Sequence, residues 1–170
     1  ARETDVAAIL ITHNHMDHLA GFDAVFCAHN VPVSIGTMDG ESLDGKGVTD
    51  WAPGPNINVV GQLKIRAIHT PGHTPGSTCY AIDTEQGEHT ILLSGDTLFP
   101  GGPGRSGSPE LFRQEVQSIT GRLFPLPDHT VVMPGHGADT TIAQAKNEYG
   151  IFAAKRHDED LHGNVSWLED

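Results

Sequence analysis

The stretch Thr12-His13-Asn14-His15-Met16-Asp17-His18 constrains this chain more than any other, because it sets three imidazoles and a carboxylate on one short turn. It follows directly on the apolar run Val6-Ala7-Ala8-Ile9-Leu10-Ile11, whose length and partly β-branched character predict a buried strand. The ligand-type side chains therefore fall where a strand ends and the chain turns. Imidazole and carboxylate are the donors that a borderline divalent cation such as Zn²⁺ takes. A lone histidine at a strand end is ordinarily a satisfied polar residue. A His-x-His-x-Asp-His cluster is different, since mutual repulsion and desolvation make it costly unless a cation compensates it. Four donors on one turn exceed what one four-coordinate ion needs once donors from elsewhere are added, which points to two ions side by side.

The length of 170 residues fits one domain over 1–170 with a real core, and the 20 Gly and 11 Pro favour strands joined by many turns. A formal charge of −12 with no Lys/Arg-rich patch argues against nucleic acid as a partner, whose phosphates demand clustered cations. No apolar run approaches membrane-spanning length and no signal peptide is visible, so no membrane partner is expected and the cytoplasm is the expected location. Cys27 and Cys79 fit neither a zinc knuckle nor a disulfide framework, and both are expected to be buried free thiols.

Along the chain, residues 19–28 show helical spacing and Val31-Pro32-Val33-Ser34-Ile35 reads as a strand confined by Pro32 to an edge or a strand start. Residues 36–56, rich in Gly, Asp and Pro, read as a surface excursion anchored by Trp51. Alternation predicts strands at 57–60 and 63–69, and the runs at 78–82 and 90–94 read as strands joined by a turn at Gly87. The glycine-rich segment Pro100–Gly107 lacks the Gly-Lys-Ser/Thr helix start of a phosphate cradle. A helix start is expected at Ser108-Pro109, a last strand at Thr130–Met133, and a helix over Thr141–Tyr149 closed near Gly150. The tail, with His157 and His162, is expected to be a solvated terminus whose histidines are not ligands.

Three further strand ends carry ligand-type residues: His73 in Thr70-Pro71-Gly72-His73-Thr74-Pro75-Gly76-Ser77, Asp96 after Ser94-Gly95, and His136 in Pro134-Gly135-His136-Gly137. Strands of one sheet end on a common rim, where loops converge. Seven donors divide between two ions if a carboxylate is shared, and Asp96 is the sensible bridge because a carboxylate has two oxygens. These motifs, in this order, resemble the metallo-β-lactamase-fold hydrolases, and their intervals are most similar to the glyoxalase II (hydroxyacylglutathione hydrolase) branch. The resemblance implies an α/β fold, an αβ/βα four-layer sandwich with the site on one edge of its sheets. It also implies that His13, His15 and His73 hold a first ion and Asp17, His18 and His136 a second, with Asp96 bridging. Only twelve residues precede His13, where the family normally has several strands, so the first sheet is expected to lack its N-terminal strands. The unpaired edge so left would invite a homodimer.

Two divalent ions, zinc foremost with iron or manganese as alternatives, would supply hydroxide at physiological pH and polarise a carbonyl. The expected activity is hydrolysis of a small-molecule thioester or ester, with Asp17 ligating, orienting the nucleophile and carrying a proton to the leaving group. Asp139, Ser77 and Thr97 are candidate outer partners of the imidazoles. A lactonase of the same fold, a single-iron persulfide dioxygenase and a catalytically impaired metal-binding fragment are the competing readings. Asp96, where many true β-lactamases carry cysteine, argues against antibiotic hydrolysis.

Overall fold

The apolar run ahead of the histidines does become a strand, although its ladder is short. In the computed structural model, which describes residues 5–43, 58–60, 63–84 and 90–168, Ile9–Leu10 (β1) pairs in parallel with Val33–Ser34 (β2). Between them the helix expected over 19–28 is split into a single turn, Met16–Leu19 (α1), and a longer helix, Phe22–His29 (α2). The break falls at Ala20-Gly21, and α2 ends on Asn30 in the left-handed conformation at φ 46°.

The remaining strands form a second, larger sheet. Asn58–Val60 (β3), Leu63–His69 (β4), Thr78–Thr84 (β5) and Thr90–Gly95 (β6) run antiparallel in sequence order. Leu98–Phe99 (β7) and Gly102–Pro103 (β8) make a small hairpin, followed by Pro109–Ser118 (α3). Helix α3 starts as expected, with the Ser108 hydroxyl accepting from the Leu111 N–H and Pro109 in the first turn. It widens into a π turn over Ile119–Leu123. Val131–Pro134 (β9) then returns parallel to β6, as a connection through a helix permits. Thr130–Met133 was the last strand to be expected, but Thr140–Thr141 (β10) adds an antiparallel edge to β9 before Ile142–Ala153 (α4). The sheet order is β10-β9-β6-β5-β4-β3.

Period-two alternation sorts these strands into layers. Cys79 and Ala81 of β5, Leu92 of β6 and Val132 of β9 face a core shared with Phe112, Ile119, Leu123, Ile142, Ala145 and Phe152 of the helical layer. Ile65 and Ala67 of β4 and Tyr80 of β5 face the other way, against Leu10 of the first sheet. There the buried Tyr80 hydroxyl donates to the Ile11 carbonyl at 2.9 Å, and burial pushes its pKa up to about 12. Beyond that sheet, Phe22 joins Ile11, Val33, Ile35 and Leu43, with Leu19 and Phe26 against them. The result is the expected α/β four-layer sandwich with a first sheet reduced to two strands.

Several local expectations give way to packing. Helix α4 runs through Gly150 because Phe152 is needed in the core, edge-to-face with Phe112 at 6.1 Å. The tail is not simply a solvated terminus: Trp167 is fully buried against Phe124, Tyr149 and Phe152, while His157 stacks on Phe152. Cys79 is buried as expected, whereas Cys27 is exposed on α2. The start of the 36–56 excursion is packed rather than superficial, with Asp39 and Leu43 buried around a 3₁₀ turn at Gly40–Leu43. Trp51 and the Gly87 turn lie outside the described residues. Among the described residues no helix is long and apolar enough to cross a membrane.

Candidate metal centre

The four ligand-bearing places expected from sequence converge on one rim. The first follows β1 and includes α1, whose single turn holds Asp17 and His18 one beside the other. His73 lies in the β4–β5 loop, Asp96 directly after β6 and His136 directly after β9. Because β6 and β9 are parallel, their C-terminal ends share an edge, and the Gly135 N–H donates to the Gly95 carbonyl at 2.9 Å across it. Gly135 is required by crowding: a Cβ there would lie 2.5 Å from both Asp96 Oδ1 and His18 Cε1.

The donor atoms fall into groups. His13 Nε2 and His73 Nε2 stand 3.1 and 3.0 Å from His15 Nδ1. His18 Nε2 lies 3.3 Å from His136 Nε2, and Asp17 Oδ2 lies 3.0 Å from that same His136 nitrogen. Asp96 sits between the groups, with Oδ1 3.3 Å from His18 and Oδ2 3.8 Å from both His73 and His136. Within each of the sets His13/His15/His73, His13/His18/Asp96 and Asp17/His18/His136, the donor atoms lie within 4.8 Å of one another. Ligands at 2.0–2.1 Å around a tetrahedral zinc stand about 3.3 Å apart, close to the spacing found here. Facing imidazole nitrogens cannot all satisfy one another, because a neutral ring offers one N–H and one lone pair. Asp96 Oδ1 is buried with no hydrogen-bond partner among the described residues. These donors therefore fit divalent cations, one or two of them.

Electrostatics prepare the nitrogens for that role. Burial, reinforced by the rings of His18, His73 and His15, lowers the pKa of His13 to about 3, so its imidazole is neutral at pH 7. Burial also lowers His73, against the opposing effect of the Arg105 carbonyl that accepts from its Nδ1 at 2.9 Å. That carbonyl fixes the tautomer and leaves the Nε2 lone pair pointing at His15. At the mouth, desolvation raises the Asp17 carboxyl, but its own backbone N–H and the rings of His18 and His136 outweigh this and hold it below the usual range.

The outer partners differ from those expected. Thr12 Oγ1 meets His13 Nδ1 at 3.1 Å and the Arg105 carbonyl meets His73. Ser77 and Thr97 direct their hydroxyls to Thr74 and Thr70, and Asp139 is exposed. The outer support comes instead from a buried acid that the sequence does not single out. Asp39, 1% exposed, accepts from the Asn14 N–H at 3.2 Å, the Thr74 hydroxyl at 2.6 Å and the Gly76 N–H at 2.8 Å, so it ties the first ligand turn to the His73 loop. In sequence it is one of several acids in a segment rich in Gly, Asp and Pro. Glu115 was passed over as well. It is wholly buried behind the His73 loop, where Gly72, at φ 151°, has no room for a side chain beside it. Burial, with the Asp96 charge adding to it, pushes the Glu115 carboxyl up to about 9.

Comparison with known proteins agrees with this geometry. The family model described as the Metallo-beta-lactamase superfamily matches residues 2–136. The probable metallo-hydrolase YqgX of Bacillus subtilis (strain 168) is 30% identical over 161 residues, covering 83% of this chain and 73% of that protein. The probable hydroxyacylglutathione hydrolase glo2 of Schizosaccharomyces pombe is 33% identical over 152 residues, covering 89% of this chain but only 56% of its own length. Among solved structures, TTHA1623 in a di-iron-bound form superposes with a TM-score of 0.63 at 27% identity, covering 81% of this chain and 73% of that one. A metal-coordinating cluster on this fold supports metal-dependent catalysis in general. Sharing a family's pattern over most of its length, with the ligand-type side chains brought together on one rim, the chain belongs to the metallo-β-lactamase superfamily.

Proposed function

We propose that the chain is a binuclear metal-dependent hydrolase of a small-molecule thioester or ester, similar to glyoxalase II. In this reading His13, His15 and His73 would hold one ion and Asp17, His18 and His136 the other, with Asp96 shared between them. The observation that carries it is the placement of Asp96, whose Oδ2 lies 3.8 Å from a nitrogen of each set while its Oδ1 has no hydrogen-bond partner among the described residues. Zinc is the expected ion from the nitrogen-rich donor set, with iron the next candidate given the di-iron relative. Once bound, such a pair supplies hydroxide near neutral pH and polarises a carbonyl.

The chain's own residues do the rest. The Arg105 carbonyl holds the His73 ring in one tautomer, and Asp39 holds its loop against the first ligand turn. Asp17 is exposed at the mouth and stays ionised, so it can orient the nucleophile, accept its proton and return it to the leaving group. A cavity of about 490 Å³ opens beside His73, Asp96 and His136 and is large enough for an acyl group and its leaving group. The thioester preference rests on the hydroxyacylglutathione hydrolase relative and stays at the level of bond class.

Titrating the metal-free chain with zinc and quantifying bound metal should give two ions per chain and turnover of a small thioester. His73→Ala and Asp96→Ala should lose metal and activity together. Full metal content in either variant refutes the assignment, and one iron per chain in place of two ions refutes the binuclear mechanism. A lactone panel run beside the thioesters separates the two ester classes.

A further inference from the structure

Asp39 holds the His73 loop from the side of the first ligand turn, and α3 grips the same loop from behind. The grip begins with close approach. A Cβ on Gly72 would lie 2.2 Å from Glu115 Cβ and 2.5 Å from Glu115 Cα, so the loop backbone rests directly on the helix backbone. Two side chains then take carbonyls at the start of the loop. The Ser118 hydroxyl, 3% exposed, donates to the Pro71 carbonyl at 2.8 Å. One turn further on, the Arg122 guanidinium donates to the His69 carbonyl. Thr78, the partner of His69 in the β4–β5 ladder, sends its own N–H to the Thr12 carbonyl at 2.8 Å, which leaves the His69 carbonyl open to an outside donor. The helix departs from α geometry at this contact. It widens over Ile119–Leu123 into the π turn, closed by the Phe124 N–H to the Ile119 carbonyl at 3.0 Å, while the Thr120 hydroxyl donates to the Val116 carbonyl at 2.8 Å. Such turns are frequent at functional sites. Arg122 is exposed, so burial in the core does not account for its direction.

We propose that Ser118 and Arg122 are positioning residues for the metal ligand His73. With the carbonyls of His69 and Pro71 pinned and Gly72 pressed onto α3, the backbone that carries His73 has one path. That path sets His73 Nε2 3.0 Å from His15 Nδ1 and 3.8 Å from Asp96 Oδ2, and puts its Nδ1 within 2.9 Å of the Arg105 carbonyl. Freed from the two pins, the ring would drift from the carbonyl that fixes its tautomer and from the donors of its own set together. The inference rests on His73 being a metal ligand, as proposed above, and is independent of which bond the centre hydrolyses.

The test uses the full chain, metal-free and titrated with zinc, as wild type, Ser118→Ala, Arg122→Ala, the double variant and Arg122→Lys. In metal-free wild type, nitrogen-15 spectra of the imidazoles should show His73 as a single Nδ1–H tautomer. In the double variant His73 should become a mixture of tautomers. His157, whose Nε2 donates to the Phe152 carbonyl at 2.7 Å, should be unchanged. Competition with a chelator should show zinc bound at least about tenfold more weakly by the double variant, the loss typical when the outer support of a ligand is removed. Arg122→Ala, a surface change that leaves the core intact, should carry part of that loss, and Arg122→Lys, which keeps a cationic donor, should restore it. Zinc affinity within twofold of wild type in the double variant, or an unchanged His73 signal, overturns the positioning role. An equal disturbance at His136, on the loop after β9, marks a general loosening and overturns it as well. Tautomer mixing and weaker zinc binding in a chain that turns over no ester would refute the hydrolase and leave the positioning role standing. Wild-type His73 signals that do not respond to zinc overturn both.

Discussion

Asp39 offers the sharpest test of how the two ligand loops are held. Replacing it by alanine removes the acceptor for the Asn14 N–H, the Thr74 hydroxyl and the Gly76 N–H at once. Thr74 can turn its proton to Ser77, 2.7 Å away, so two backbone donors are left without a partner. A buried donor left unpaired costs roughly 1–3 kcal/mol, which puts the loss of folding stability for Asp39→Ala at about 3 kcal/mol. The greater consequence is positional. Asn14 lies between His13 and His15, and Gly76 closes the turn that presents His73, so the first set of nitrogens should spread. Loss of such outer support typically costs about 10–100-fold in metal affinity. Asp39→Asn keeps one acceptor but turns an NH₂ toward a donor, and should fall between wild type and alanine. Urea unfolding of the metal-free chain gives the first quantity, and zinc titration against a chromogenic chelator gives the second. If Asp39→Ala lowers stability yet binds zinc within twofold of wild type, Asp39 does not couple the loops and this reasoning fails.

Two further outcomes follow from the same geometry. Gly135→Ala should push His18 away from Asp96 and lower the metal content of the chain while the fold survives with a cost of about 1–3 kcal/mol; metal analysis on the folded variant checks it, and an undiminished metal content contradicts it. Glu115 has a folded pKa raised to about 9 against 4.5 in the unfolded chain, so its contribution is fully present below pH 4.5 and is progressively lost as pH climbs toward 9. Glu115→Gln should therefore flatten the fall in stability of the metal-free chain between pH 5.5 and 8.5 by roughly 4 kcal/mol, and parallel wild-type and variant curves in urea would refute it.

What sequence made legible was the part that chemistry writes locally. His13, His15, Asp17 and His18 share one turn, and the Gly-flanked His73, Asp96 and His136 each follow a run of strand-forming residues, so convergence could be argued before any coordinates. Strands β3 and β4 of the larger sheet announced themselves by alternation, β5, β6 and β9 by apolar runs, and the start of α3 by Ser108-Pro109. What stayed hidden depends on tertiary contact. Asp39 resembles any loop acid until Thr74 and Gly76 are folded against it. Trp167 sits in a polar tail, and only the aromatic slot formed by Phe124, Tyr149 and Phe152 accounts for its burial. Gly150 signalled a helix end, yet the core's demand for Phe152 outweighed its modest propensity cost. Cys27 failed differently: Phe22 and Phe26 pack into the core from α2, while Val25 and Cys27 lie on the open side of the same helix.

The ladder between β1 and β2 is only two residues long, so the first ligand turn depends on contacts outside it, such as the Asn14 N–H to Asp39 and the Thr78 N–H to the Thr12 carbonyl. A cation shared between that turn and the end of β9 would act as a removable cross-link, closing a loop from residue 18 to residue 136. A cation held only by the folded chain stabilises it by mass action, by about 4 kcal/mol at a thousand times its dissociation constant. Chelation would then do more than silence chemistry: it would unfasten the N-terminal layer, and proteases would find that layer first.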